Sequence, residues 1–193
     1  MKLGLLGGTF DPIHLGHLRA AESARECLDL DLVAFVPSAV PPHRPGRLTA
    51  ATDRFAMACL ACGGHPRFVA WDTELRRAGP SYTVETIEVV RAERPGDDLV
   101  LVVGSDTWPE MASWREPEKL FSHVTVAVVD RPGAPPIDPE PAAFGGRGVV
   151  RVEGPSLPIS ATVVRERVRQ GLSVRFLVPD TVAEYISKRG LYS

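Results

Sequence analysis

Leu3-Gly4-Leu5-Leu6-Gly7-Gly8-Thr9-Phe10-Asp11-Pro12-Ile13-His14-Leu15-Gly16-His17 is the stretch whose reading decides the fold. Residues 3–6 form a short apolar run, as expected of a buried strand. Residues 18–26 that follow are rich in helix formers. The order is strand, glycine turn, helix. Two adjacent glycines let the backbone approach a ligand with no side chain between. A helix start offers unpaired N–H groups and the positive end of the dipole, which suit a phosphate. His14 and His17 stand three apart at that start. Each imidazole can donate a hydrogen bond to a phosphate oxygen without the repulsion a carboxylate would bring.

The stretch contains neither G-x-x-x-x-G-K-[ST] nor G-x-G-x-x-G, the two common phosphate loops. A two-histidine metal site would need further ligands, and only Asp11 lies nearby. In its strand–turn–helix setting, His14-Leu15-Gly16-His17 resembles the H-x-G-H signature of the nucleotidyltransferase superfamily.

The rest of the composition bounds the answer. A chain of 193 residues, 44% of them hydrophobic, has the size and apolar content of one α/β domain, spanning 1–193. A net charge of −2 argues against broad nucleic-acid or membrane binding, so any anion site must be local. No apolar run has membrane-spanning length, and the first residues do not form a signal peptide; the expected location is cytoplasmic. Nothing in the sequence decides whether the chain forms a homo-oligomer. Three cysteines are too few for a disulfide scaffold. Cys59 and Cys62 form a C-x-x-C with His65 just after, but they lie in an Ala-rich helical stretch with no second pair. They are expected to be core residues.

Residues 32–36 complete a β-α-β unit, and further β-rich runs at 67–71, 99–103, 124–129 and 149–152 alternate with helical stretches at about 51–62, 83–93, 160–170 and 181–188. This pattern predicts a Rossmann-like, doubly wound parallel sheet with helices on both faces. Ser81 or Thr83 is the expected cap of one helix, Asp180 of the last and Ser160 of the one between. The proline-rich loop at 37–45 leaves the carboxyl end of the second strand, the ligand edge of such sheets, and carries His43 and Arg44 there. The strand at 99–103 delivers Gly104-Ser105-Asp106 to the same edge; Asp106 is placed to accept from ribose hydroxyls or to cap the next helix. Trp108 and Trp114 are candidates for ring stacking or for the core. Ser160, Thr162 and Arg165 form a second helix-start cradle for phosphate. Residues 132–148 are dense in proline and glycine and have the composition of a surface insertion.

The order H-x-G-H, G-S-D, I-S-x-T-x-x-R, together with Pro41-Pro42-His43-Arg44, Pro80-Ser81-Tyr82-Thr83, Ser113-Trp114, Arg131-Pro132-Gly133 and the terminal Gly190-Leu191-Tyr192, resembles the bacterial nicotinate mononucleotide adenylyltransferases along nearly the whole chain. That resemblance implies transfer of AMP from ATP to nicotinate mononucleotide with release of pyrophosphate, by direct in-line attack and with Mg²⁺ accompanying the phosphates. It implies His14, His17 and Arg165 as catalytic residues. For ATP it implies Gly8, Thr9, Phe10, His14, His17, Gly104, Asp106, Ser160 and Arg165. For the mononucleotide it implies Gly8, Thr9, Phe10, His43, Arg44, Tyr82, Thr83, Trp114 and Arg131. No metal site built from protein ligands is expected. Two departures stand out: Ser38-Ala39 where some relatives carry asparagines, and Ala161 where I-S-S-T has its second serine. Rival readings are a pantetheine-phosphate adenylyltransferase, a cytidylyltransferase, or a module that binds nucleotide without turnover.

Overall fold

A computed structural model describes residues 1–42, 48–131, 133 and 147–193. His43, Arg44 and most of the 132–148 stretch therefore lie outside the described residues. The strands are β1 (Lys2–Gly8), β2 (Leu32–Pro37), β3 (Phe68–Ala70), β4 (Asp98–Gly104), β5 (Thr125–Val129) and β6 (Val149–Val152). They form one parallel sheet in the order β3-β2-β1-β4-β5-β6. The helices are α1 (Leu15–Leu28), α2 (Ala51–Cys62), α3 (Thr83–Glu93), α4 (Pro117–His123), α5 (Ala161–Arg169) and α6 (Asp180–Arg189), with a 3₁₀ turn at Trp108–Ser113. No described helix is long and apolar enough to cross a membrane.

The strands are apolar almost throughout because both sheet faces are covered, and their alternation splits the core in two. Leu6, Val33, Phe35, Val100, Val102, Ala127 and Val129 face the side that takes the buried residues of α1, α2, α5 and α6. Leu3, Leu5, Ala34, Val36, Leu99, Leu101, Val103, Val126 and Val128 face the side covered by α3 and α4. The chain winds one way from β1 to β3 and the other way from β4 to β6. The carboxyl ends of β1 and β4 are therefore neighbours at the point where the winding reverses, the crevice in which such sheets bind ligands.

Three local expectations change. Ser81 does not cap α3: its Oγ accepts from the N–H groups of Ala39 and Val40, and Tyr82 is the N-cap. The hydroxyl serves the neighbouring loop because that loop's amides have no strand partner to take them. Pro179 rather than Asp180 precedes α6, its fixed φ suiting the entry. Cys59 is exposed on α2, while Cys62 is buried and its thiol is pushed up to about 12 by burial. His65 is engaged elsewhere, its ring tilted against that of Phe68 with centroids 4.0 Å apart and its Nε2 3.4 Å from Glu22 Oε2.

Candidate active site

A cleft of about 340 Å³ opens between the ends of β1 and β4. Its floor is the turn after β1. Gly8 has no alternative there, because a Cβ would lie 2.9 Å from the Phe10 ring. Phe10 adopts a left-handed backbone, φ +49°, yet is only 2% exposed. Such a backbone costs a non-glycine residue about 1–2 kcal/mol. The ring's burial against Phe35, with centroids 5.9 Å apart, offsets the cost. Asp11 is buried and accepts from the Tyr192 hydroxyl at 2.6 Å and from the Thr49 N–H at 3.3 Å. Its two carboxylate oxygens thus tie the turn to the chain end and to the approach to α2.

His14 and His17 are stacked, their ring centroids 3.6 Å apart. The His14 N–H donates to His17 Nδ1 at 3.1 Å, which makes that nitrogen an acceptor and leaves the ring proton on Nε2. His17 lines the cleft, edge-on to Phe10 at 5.0 Å. His14 lies beneath it, 2% exposed, with Nδ1 buried and without a hydrogen-bond partner. Burial, aided by the charge of Arg131, holds its pKa down at about 3, so the ring is neutral at ordinary pH. The helix start itself offers less than the sequence suggests, since the Leu15 N–H donates to Leu177 O at 2.9 Å.

On the β4 side, Gly104 lies beneath Arg131: a Cβ there would sit 3.1 Å from Arg131 Nε. Arg131 Nε is buried without a hydrogen-bond partner and stands 3.6 Å from the exposed Asp106 carboxylate. Ser105 caps nothing; its Oγ accepts the Arg131 N–H at 2.9 Å. Arg131 lines the main cleft together with Gly104, Asp106, Tyr82 and Trp114, and it also borders a second, more open hollow with Asp106 and Ser160. Ser160 caps α5 as expected, accepting from the Val163 N–H at 3.3 Å. Arg165 on α5 donates to Asp11 O at 2.7 Å and to Thr162 Oγ1 at 3.1 Å, which ties the two phosphate cradles to each other.

The remaining wall comes from α3 and the 3₁₀ turn. Tyr82, Thr83 and Trp114 all line the cleft. Thr83 opens α3, so the first amides of that helix face the same space. Trp114 is half-buried against the core on its far side. Arg115 lies over the Tyr82 ring at 4.6 Å and donates to Glu85 at 2.8 Å. Glu74, 5% exposed, accepts from Thr86 Oγ1 at 2.8 Å. Sequence reasoning missed Glu74 and, more importantly, Arg54. Arg54 is 1% exposed, and its guanidinium donates to three main-chain carbonyls around the cleft. A signal for it existed: Arg54 shares the helical face of Met57, Ala58 and Ala61, where a charge is out of place. Among the described residues no group of three or more His, Cys, Asp or Glu could hold a metal ion.

Comparisons with known proteins agree with this architecture. The family model described as cytidylyltransferase-like matches residues 5–167. A Thermus thermophilus protein named a probable nicotinate-nucleotide adenylyltransferase is 44% identical over 192 residues, covering 100% of both chains. A Geobacter metallireducens protein of the same name is 39% identical over 214 residues, covering 100% of this chain and 99% of its own. Among solved structures, the Plasmodium falciparum nicotinic acid mononucleotide adenylyltransferase complexed with NaAD superposes with a TM-score of 0.82 at 19% identity, covering 99% of this chain and 97% of that one. At that identity the likeness speaks for the fold.

Proposed function

The chain belongs to the cytidylyltransferase-like family and, within it, to the nicotinate-nucleotide adenylyltransferases, and on that premise we propose that it joins ATP and nicotinate mononucleotide into nicotinate adenine dinucleotide plus pyrophosphate, in the cytoplasm, as a step of NAD biosynthesis. The observation that carries this reading is the convergence on one cleft, at the reversal of the sheet, of His17 stacked on buried His14, a glycine turn, a Gly104–Asp106 ledge and an aromatic-walled recess.

In this reading the mononucleotide phosphate attacks the α-phosphorus of ATP in line, and pyrophosphate leaves. The protein's part is positioning and charge stabilisation. His17 donates through Nε2 to the phosphates, where negative charge gathers. His14 holds that ring in place through its N–H and its stacking. The amides around Gly8, Thr9 and Phe10 meet the incoming phosphate. Gly104 and Asp106 take the adenosine, Arg131 lies between them and the mononucleotide that it helps to hold, and Ser160 and Arg165 hold the leaving pyrophosphate. Trp114 stacks on the pyridine ring, while Tyr82 and the first amides of α3 at Thr83 face its carboxylate. His43 and Arg44 are assigned to the mononucleotide from the sequence pattern alone. Mg²⁺ enters with the triphosphate as part of the substrate, and no protein cage is assigned to it.

The test is pyrophosphate release with ATP and Mg²⁺ against nicotinate mononucleotide, nicotinamide mononucleotide and phosphopantetheine in parallel. The expected result is a clear preference for nicotinate mononucleotide. Release only with phosphopantetheine would overturn the acceptor, and no release despite ATP binding would make the protein a sensor.

A further inference from the structure

Among the described residues Arg54 is the largest fully buried side chain by volume. It donates from Nη1 to Thr9 O at 2.7 Å, from Nε to Thr49 O at 3.0 Å and from Nη2 to Ala39 O at 3.1 Å. These carbonyls belong to three separate segments: the turn after β1, the loop after β2 and the approach to α2. Burial pulls its pKa below the ordinary arginine value, opposed by the charges of Asp11 and Glu74. A buried ion is a weak device for stability, because an apolar side chain of equal volume packs without the desolvation cost. Its geometry points instead to the turn it grips.

We propose that Arg54 is a positioning residue for phosphate transfer: it holds the Thr9–Phe10 peptide so that the Phe10 N–H meets the reacting phosphate. In a planar trans peptide the carbonyl and the following N–H point in opposite directions, so gripping Thr9 O orients the Phe10 N–H. A charged donor on the carbonyl also polarises the amide across the same peptide. Phe10 is left-handed, and a residue so placed in a turn helps gather successive N–H groups into an anion-binding hollow. Its strain makes an external grip necessary. From the other side, Tyr192 fastens Asp11, whose carboxylate also accepts the Thr49 N–H, so Arg54 and Asp11 close on the same residue. A lysine has three donors too, but they radiate from one nitrogen and cannot match carbonyls that meet the Nε, Nη1 and Nη2 of a planar fork.

The kinetic part rests on the proposed reaction; the binding part does not. Arg54→Lys, Arg54→Met and Tyr192→Phe are compared with Tyr185→Phe as control. Tyr185 donates to Asp53 Oδ1 at 2.7 Å, braces the same helix against α6, and does not line the cleft. Measured are Tm, kcat, both KM values and the Kd for inorganic pyrophosphate. Arg54→Lys is expected to lower kcat about thirtyfold or more while each KM moves less than about threefold, the signature of a contact needed in the transition state. Pyrophosphate Kd should weaken about tenfold, and Tyr192→Phe should lower kcat about fivefold with little loss of Tm. Tyr185→Phe should lower Tm and leave kcat unchanged. If neither arginine variant folds, Tyr192→Phe decides. Unchanged kcat and pyrophosphate binding in the folded variants, or an equal fall in kcat for Tyr185→Phe, would overturn the proposal. Wild-type protein that turns over no acceptor would overturn the reaction instead, and the pyrophosphate arm would still judge Arg54.

Discussion

The two walls of the cleft differ in how firmly they are held. On the β1–α1 wall Phe10, Asp11 and His14 are nearly inaccessible, and hydrogen bonds from Arg54, Arg165 and Tyr192 fasten the turn from three sides. On the β4–α5 wall the Asp106 side chain is 58% exposed, Ser160 and Thr162 are exposed, and Arg131 stands 3.6 Å from Asp106, beyond hydrogen-bond reach. Groups that act on a transition state gain from being fixed before the substrate arrives. Groups that admit a nucleoside and release pyrophosphate gain from access. The closed wall is the one suited to chemistry, and the open one to binding.

Replacing residues on each wall tests that contrast. The largest effect is expected from His17→Ala, which removes the donor on the closed wall. In steady-state assays kcat should fall about 10²–10³-fold, the usual loss for one preorganised donor, while Tm changes little because His17 is only half-buried. Normal turnover would assign the chemistry to the other wall.

The second effect is on stability. His14 has a folded pKa of about 3 against 6.5 when exposed. Between those values the unfolded chain binds a proton that the folded chain refuses, so stability falls as pH falls from 6.5 toward 3. The full loss is on the order of a few kcal/mol. Thermal melts of wild type and His14→Gln should diverge at pH 7 and converge as the pH falls to 4; parallel curves would mean that the closed wall admits a charged histidine.

Trp114→Ala should raise the mononucleotide KM about tenfold, as expected for losing one stacked ring of roughly 1 kcal/mol or slightly more, and leave the ATP KM unchanged. An equal rise in both would make Trp114 a packing residue. The smallest effect belongs to the open wall. Ser160→Ala removes one cap bond of 3.3 Å, worth about 1 kcal/mol or less, and should raise the ATP KM a few-fold with kcat intact. A fall in kcat matching that of His17→Ala would erase the distinction between the walls.

The six strands were legible because each is a short apolar run bounded by turn residues, and α2 and α3 because helix formers and glycine or proline stops mark their ends. His17, Gly104 and Asp106 were legible at the cleft because strand ends and a helix start are brought by the topology to one edge, whereas Trp114 was placed there only through the family resemblance. The division of labour between His14 and His17 was not. One helical turn separates them in sequence, and only the packed structure buries one and presents the other. Arg131 comes to lie beside Gly104 and Asp106, in the same cleft as Tyr82 and Trp114, because β4 and β5 are neighbours. Ser81 was mistaken for a cap because a serine before a helix has that form whether its hydroxyl serves the helix or a loop 41 residues away.

Local patterns in the sequence by themselves determined the fold class and the order of strands and helices except α4, for which no helix was read between Arg115 and Val124, and they pointed to a phosphate at the turn after β1. These follow from backbone preference, hydrophobic period and the chemistry of a few side chains, each acting over a turn or two. Only the tertiary structure decided how that turn is held: Arg54 reaching Thr9 and Ala39, Tyr192 reaching Asp11 across 181 residues, Arg165 reaching Asp11 across 154. Hydrogen bonds between segments so far apart depend on how the whole sheet twists and packs, and no local pattern encodes them.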